Sequence, residues 1–318
     1  MTLRATRRDL LRGLLATAVV AATGCSRPLA ETRLTIATGG MQGLYYALGT
    51  ALAEAWRDRL GLTTTPTVLP TDGSVANLEL LVSGAADLAF SQVDAAADRL
   101  ALLGDDPRAP VALARIYDEL VHVVVRAAAP ITSIDDLRGT RVSVGAPDSG
   151  VLLVAQRLLE VAGLDLQRDL DAVQLGIDES VSALVDDEID AFFWCGGVPT
   201  GAVSDLARRV PIRLLDLEDL VGPVRARHRV YARGTVPANT YGDHEPATTV
   251  LVRNFLLARP TLPNDVARAL LEVLFDARFR LAEVSPVALT IIPRVAVGTQ
   301  PVPLHPGAKD FYRAVKDV

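Results

Sequence analysis

Small hydroxyls, amides and glycines gather at five places where an apolar strand gives way to a helix. These are 38–46 (TGGMQGLYY), 71–77 (TDGSVAN), 91–94 (SQVD), 145–151 (GAPDSGV) and 194–200 (WCGGVPT). Glycine lets a ligand approach the backbone closely, and the N–H groups and positive dipole end of a following helix favour an anionic or polar group. Thr38 and Gly39 open the first loop; Ser74 and Ser149 offer hydroxyls at the second and fourth. Asp72, Asp94 and Asp148 can receive an ammonium group, or serve only as turn residues and helix caps. Tyr45, Tyr46 and Trp194 can wall such a site with flat apolar area that ends in a polar tip, although Tyr45 fits the core face of its helix equally well. No Arg or Lys occurs in any of the five loops, so a carboxylate would be held by backbone N–H groups and hydroxyls, not by a guanidinium fork. That favours a monocarboxylate or an amino acid over a phosphate or a dianion.

The same residues argue against catalysis. Neither serine lies in G-x-S-x-G, because Asp72 and Pro147 stand two places before them. His122, His228, His244 and His305 are scattered, with no H-x-x-x-H pair for a metal. His122, in a strand, reads as a core or hinge residue and the other three as surface residues. Cys195 sits beside two glycines with no local base to activate it. No phosphate loop is present, and 39–43 lacks the spacing of a dinucleotide fingerprint. No cofactor and no metal are expected.

The elements that must position these loops alternate strand and helix, the signature of an α/β domain with a largely parallel sheet. Strands are expected at 33–38, 66–69 and 87–91, with helices at 44–60 and 75–83 between them. A second unit follows: a strand leaving the first at 120–126, then strands at 141–145, 173–175 and 191–194 and helices at 134–137, 151–162, 180–186 and 199–209. A strand at 248–253 returns to the first unit, followed by a helix at 264–277. The strand–turn–helix pattern at Gly73-Ser74 rhymes with that at Ser149-Gly150. Ligands of such sheets sit beyond the carboxyl ends of the strands, and two α/β units with the chain passing out and back form the two-lobed layout of periplasmic binding proteins, the type II arrangement with a hinge between lobes. The expected division is lobe 1 over 33–124, lobe 2 over 125–246 and a return to lobe 1 over 247–318. The reading requires the five loop edges to face one another across a gap.

Residues 1–24 stand apart. Arg7-Arg8 precede an apolar run of about ten residues, too short to span a bilayer, that ends at Thr23-Gly24-Cys25. The run reads as a signal peptide, with adjacent arginines similar to a twin-arginine export signal. Cys25 reads as the acylated first residue of the mature chain, with 25–32 as its tether, although Ala22 stands where a lipobox usually has Leu. An exported, extracytoplasmic and lipid-anchored protein follows. The chain of 318 residues carries a net charge of −6; the leader contributes +3, leaving −9 for the rest. An acidic body repels phosphate backbones, which argues against nucleic acid. Cys195 is the one other cysteine, so no disulfide framework is expected.

Stretches at 36–48, 71–94, 120–126, 134–151, 188–200 and 305–312 resemble the TAXI solute receptors, the extracytoplasmic binding components of tripartite (TRAP) transporters. Two departures fall in the presumed pocket: Asp148-Ser149-Gly150-Val151 where the family commonly has glycine–serine–glycine–threonine, and Gly40-Met41 where it often has serine–proline. The resemblance implies a two-lobed receptor that closes on a small carboxylate or amino acid, of the glutamate or glutamine kind, and presents it to the permease subunits. By matching position it implies ligand contacts at Tyr45, Tyr46, Gly73, Ser74, Asn77, Gln92, Ser149, Gly150, Val151 and the segment from Trp194 through Pro199 to Thr200. Ser74 and Ser149 would donate to ligand oxygens, Asn77 would bridge, and the aromatic rings would pack over the carbon skeleton. Two alternatives differ in partner or class: a binding module for a sensor or ABC permease, and an exported serine hydrolase using Ser74 or Ser149.

Overall fold

The computed structural model describes residues 29–242 and 245–316. The leader, Cys25, the first part of the tether and His244 lie outside the described residues.

The first unit runs β1 (Thr35–Ala37), α1 (Leu44–Leu60), β2 (Thr67–Leu69), α2 (Ser74–Ser83), β3 (Leu88–Gln92) and α3 (Val93–Leu103). β1 lies between β2 and β3 and is parallel to both. α1 forms because Tyr45, Leu48, Leu52 and Trp56 recur at helical spacing on one buried face. It stops at Gly61, whose φ of 64° suits a residue without Cβ. Trp56 Nε1 donates to the Leu270 carbonyl at 3.0 Å, tying α1 to the returning chain. α3 follows β3 directly, so 91–94, expected as a loop, is a strand end and a first helical turn.

β4 (Val111–Arg126) leads into the second unit, which runs β5 (Arg141–Ser143), α4 (Gly150–Val161), β6 (Asp171–Val173), α5 (Ile177–Val185), β7 (Ala191–Gly196) and α6 (Gly201–Arg209). β5 lies between β6 and β7 and is again parallel to both. The two units share one topology, so the β1–α1 connection corresponds to β5–α4, and β2–α2 to β6–α5. The expected rhyme between Gly73-Ser74 and Ser149-Gly150 therefore joins two turns that are not equivalent in the fold. β8 (Ile212–Leu214), α7 (Glu218–Arg227) and β9 (Ala232–Val236) precede β10 (Ala247–Ala258), and α8 (Asn264–Asp276), α9 (Arg278–Val284), α10 (Pro293–Ala296) and α11 (Pro306–Lys316) follow it.

Among the described residues ten strands form one sheet in the order β2-β1-β3-β10-β4-β7-β5-β6, with β9 on β10 and β8 on β4. The two lobes are joined by its two longest strands. β10 pairs with β9 over residues 247–251 and with β3 over 254–258. β4 pairs with β7 over 120–125, and the two shared strands pair with each other from Leu251–Leu120 to Ala258–Val111. The partners change around Glu119–Leu120 on one strand and Val252–Asn254 on the other, and the register of the pair slips between Asn254 and Phe255. The chain thus passes between lobes as two adjacent antiparallel strands, a layout suited to bending at a few residues.

Each lobe has its own core on one face of the sheet. Ile36, Trp56, Leu113, Leu270, Leu274 and Phe311 belong to lobe 1; Val124, Leu184, Phe192, Val203, Leu206 and Val236 to lobe 2. A third cluster runs through both, taking in Leu78 and Val93 from lobe 1 and Val142, Val154, Leu158 and Phe193 from lobe 2. Apolar packing is continuous from one lobe to the other.

Candidate functional site

The five segments meet at the boundary between the lobes. A Cβ built on Gly73 would lie 3.4 Å from Ser149 Cα, one on Gly150 would lie 2.0 Å from Gln92 Oε1, and one on Gly197 would lie 3.8 Å from Leu44 Cδ2. The first three segments belong to lobe 1 and the last two to lobe 2, so the edges face one another. The gap expected between them is absent: the edges are in direct contact. The N–H groups of Val75 and Ala76, in the first turn of α2, donate to the Asp148 carbonyl of the other lobe at 3.1 and 3.2 Å. Gly73 reaches this contact at φ 133° and Asp148 at φ 51°, both in the left-handed region that favours glycine and, among other residues, Asn and Asp.

Within lobe 1 several candidates are bound up in the scaffold. Thr38 Oγ1 donates to the Leu69 carbonyl at 2.7 Å. Asn77 Nδ2 donates to the carbonyls of Thr38 and Phe90, and its Oδ1 accepts from Thr71 Oγ1 at 2.6 Å. Asn77 is fully buried and brackets the ends of β1 and β3. Gly39 packs on the Tyr45 ring, and Ser74 Oγ accepts from the Gln92 N–H at 3.0 Å. In lobe 2, Ser149 caps α4, accepting from Leu152 N–H at 3.1 Å and donating to the Ala146 carbonyl at 2.7 Å. Gly150 and Val151 are buried at the start of the same helix. Trp194 is half-buried and its Nε1 donates to Thr200 Oγ1 at 3.3 Å. The Thr200 N–H donates to Tyr241 Oη at 2.8 Å. Tyr46 is half-buried, whereas Asp72, Asp148 and Pro199 are exposed.

At the centre lies a polar cluster that the loop pattern missed. Glu119, 6% exposed on β4, accepts from Gln92 Nε2 at 2.7 Å and from Tyr117 Oη at 3.1 Å. Tyr45 Oη donates to Asn254 Oδ1. These residues come from β3, β4, α1 and β10, at the point where the shared strands change partners. Cys195 lies beside Gln92 from the lobe 2 side. Burial pushes the Glu119 carboxyl up to about 7 and raises the Tyr45, Tyr117 and Cys195 groups as well, because an apolar surrounding disfavours the charged form. A thiol held protonated in this way is a poor nucleophile.

A second cluster bridges the lobes one helical turn deeper. Arg157 on α4 donates through Nη2 to Asp98 Oδ2 at 2.5 Å and through Nη1 to Tyr231 Oη at 3.1 Å. The Tyr231 hydroxyl in turn donates to Asp94 Oδ2 at 2.7 Å. Arg157 Nη1 stands 3.7 Å from the same Asp94 oxygen. Asp94 is completely buried, which raises its carboxyl above the usual range against the opposing effect of Tyr231 and Arg157. Asp94, expected to meet an ammonium group of a ligand, meets a guanidinium of the other lobe.

His122 and His305 are occupied. His122 bonds to the Leu120 carbonyl at 2.8 Å and to Tyr241 Oη at 2.9 Å, and burial lowers it to about 4. His305, expected at the surface, is fully buried, with Nε2 against the Leu262 carbonyl at 2.9 Å and Nδ1 accepting from Gly307 N–H at 3.1 Å. It pins the start of α11. Among the described residues no group of three His, Cys, Asp or Glu side chains is placed to hold a metal ion. Nor, among them, is any helix long and apolar enough to cross a membrane.

A family model described as the NMT1-like family matches residues 36–315, from β1 to the last helix. Among solved structures, one described as a periplasmic transporter aligns over 92% of this chain and 94% of its own, at 15% identity and a TM-score of 0.55. A Xanthomonas citri protein bound to chloride aligns over 90% of this chain and 96% of its own, at 15% identity and a TM-score of 0.50. The periplasmic aliphatic sulphonate-binding protein of Escherichia coli aligns over 88% and 78%, at 17% identity and a TM-score of 0.48. The likeness to the periplasmic transporter and the Xanthomonas citri protein extends over nearly the whole of each chain and shows a shared two-lobed α/β fold.

Proposed function

The chain belongs to the NMT1-like family, and on that premise we propose that it is an extracytoplasmic solute-binding receptor that captures a small polar molecule between its lobes and catalyses nothing. One observation carries the reading: the N-terminus of α2 in lobe 1 already grips an oxygen from lobe 2, the Asp148 carbonyl. A ligand carboxylate can take that place when the lobes part, and lobe 2 then closes over it through the N-terminus of α4 at Ser149, Gly150 and Val151. The closed state is favoured to the extent that the ligand touches both lobes. Tyr45, Tyr46 and Trp194 pack on its carbon skeleton. Thr38, Gly39 and Asn77 act behind the site by holding the strand ends.

The ligand class is a small carboxylate or amino acid of the glutamate or glutamine kind. The partner is the permease of a TRAP-type transporter, and Cys25 is the acylated anchor that keeps the receptor at the membrane. Against a hydrolase reading, Ser74 and Ser149 bond to backbone, and His122 and His305 bond to groups elsewhere.

A thermal-shift screen of small carboxylates and amino acids tests the proposal. A ligand at about 100 times its Kd adds about 2.7 kcal/mol to the unfolding free energy, which appears as a clear rise in Tm. A folded, monomeric sample that no member of a broad library stabilises contradicts it. Co-purification with TRAP-type membrane subunits is the expected partner result, and co-purification with an ABC permease would replace that partner.

A further inference from the structure

The seam between the lobes has opposite polarity at its two ends. At one end, the Val75 and Ala76 N–H groups point across the boundary. At the other, the donors are spent on Glu119: Gln92 Nε2 binds one of its oxygens and Tyr117 Oη the other. That leaves Gln92 Oε1, a buried acceptor without a partner, on a residue only 3% exposed. With the Glu119 carboxyl ionised, the orientation of the amide follows from its neighbour, since turning it over would then set two acceptor oxygens 2.7 Å apart. Gln92 Oε1 faces the lobe 2 backbone. A Cβ on Gly150 would lie 2.0 Å from it and 3.0 Å from Ser74 Oγ, so the unpaired acceptor and the first turn of α2 belong to one spot a few ångströms across.

A buried acceptor with no donor is rare in folded proteins and costs stability. Resting on the receptor reading above, we infer that Gln92 and Glu119 form a donor-selective subsite that takes the N–H-bearing group of the ligand, an ammonium or a carboxamide NH2, while α2 holds the oxygen end. The N–H group lies against Gln92 Oε1 as the lobes part and reclose, with the Glu119 carboxyl one hydrogen bond behind it. Glu119 sits on a shared strand at the point where partners change, so the group is read by the part of the fold that both lobes have in common. A site built to accept from N–H rejects an analogue that lacks it, because its own polar atoms then stay unpaired.

The test uses the full chain and matched pairs of probes, the common α-amino acids beside the same acids without the amino group, in calorimetric titration and thermal shift. The expected result is that the amino-bearing member of the best pair binds at least about tenfold more tightly. That preference falls towards unity in Glu119→Gln and in Gln92→Met, each first shown to be folded by circular dichroism. Equal binding of the two members, tighter binding of the acid without nitrogen, or a preference that survives in both variants overturns the subsite and leaves the receptor standing. Failure of every probe of both kinds overturns the receptor reading itself.

Discussion

Replacing Arg157 by Leu is expected to lower the unfolding free energy by about 3 kcal/mol, read from urea titration. Arg157 reaches from α4 of lobe 2 to α3 of lobe 1, and without it Asp94 keeps Tyr231 and backbone N–H groups but no cation as partners. Breaking a buried pair from one side costs more than the pair contributes, because the remaining charge stays desolvated. The Asp98 contact adds little, since that carboxylate is half exposed and well solvated. If the cost comes from the stranded carboxylate, Arg157→Leu combined with Asp94→Asn recovers much of it, a coupling a double-mutant cycle measures. A loss under about 0.5 kcal/mol in the single variant, the level of an ordinary surface change, would mean that the bridge does not hold the lobes together.

Glu119→Gln is expected to act in the opposite direction, and only above mildly acidic pH. Burial raises the native carboxyl from 4.5 to about 7. Below about pH 4.5 both native and unfolded forms are protonated, and the native state bears no penalty. Between 4.5 and 7 the unfolded chain gives up its proton first, so stability falls as pH rises; above about 7 the loss is complete. A rise of that size corresponds to roughly 3 kcal/mol. Gln keeps the shape of Glu119 without the charge: its oxygen can accept from Gln92 Nε2, and its NH2 can donate to a Tyr117 hydroxyl turned to accept. The variant should therefore gain on the wild type across this window and hold the gain above it. Asp94, Tyr45, Tyr117 and Cys195, which surround Glu119, remain in both proteins and cancel in the difference. A difference that stays flat from pH 4 to pH 8 would show that Glu119 ionises as an exposed glutamate does.

The alternation of strands and helices was legible because the parallel strands are short, apolar and bounded by turns. β4 was seen only from Leu120 onward. Its first half carries Arg115, Asp118 and Glu119, which interrupt the apolar pattern, yet Arg115 and Asp118 merely pair with each other at the sheet surface while Glu119 turns inward. α3 was missed because it follows β3 with no turn, so Gln92 and Asp94 resembled a loop. The loop edges lie on facing sides of the boundary because strand polarity dictates where they must lie, but the gap expected between them is closed. What stayed hidden was the side-chain traffic across the boundary. Tyr231 meets Asp94 and Arg157 meets Asp98 across 137 and 59 residues of chain, and within lobe 1 Tyr45 meets Asn254 across 209. No spacing rule reaches that far. The available signal was each residue's misfit in its own element: Glu119 and Asn254 in apolar strands, and Arg157 on a helix whose other buried residues are apolar or glycine.

That the seam between the lobes opens and recloses on a ligand is tested most directly by a distance across it. Spin labels at Glu79→Cys on α2 and Gln156→Cys on α4, both exposed positions, in a Cys25→Ser background, flank the boundary without entering it. Pulsed electron resonance should show a broad population that includes longer distances without ligand, and a single shorter distance with a ligand identified in the thermal-shift screen. One narrow, short distance that no ligand alters would mean that the two lobes form a permanently packed body, and the receptor account would be contradicted.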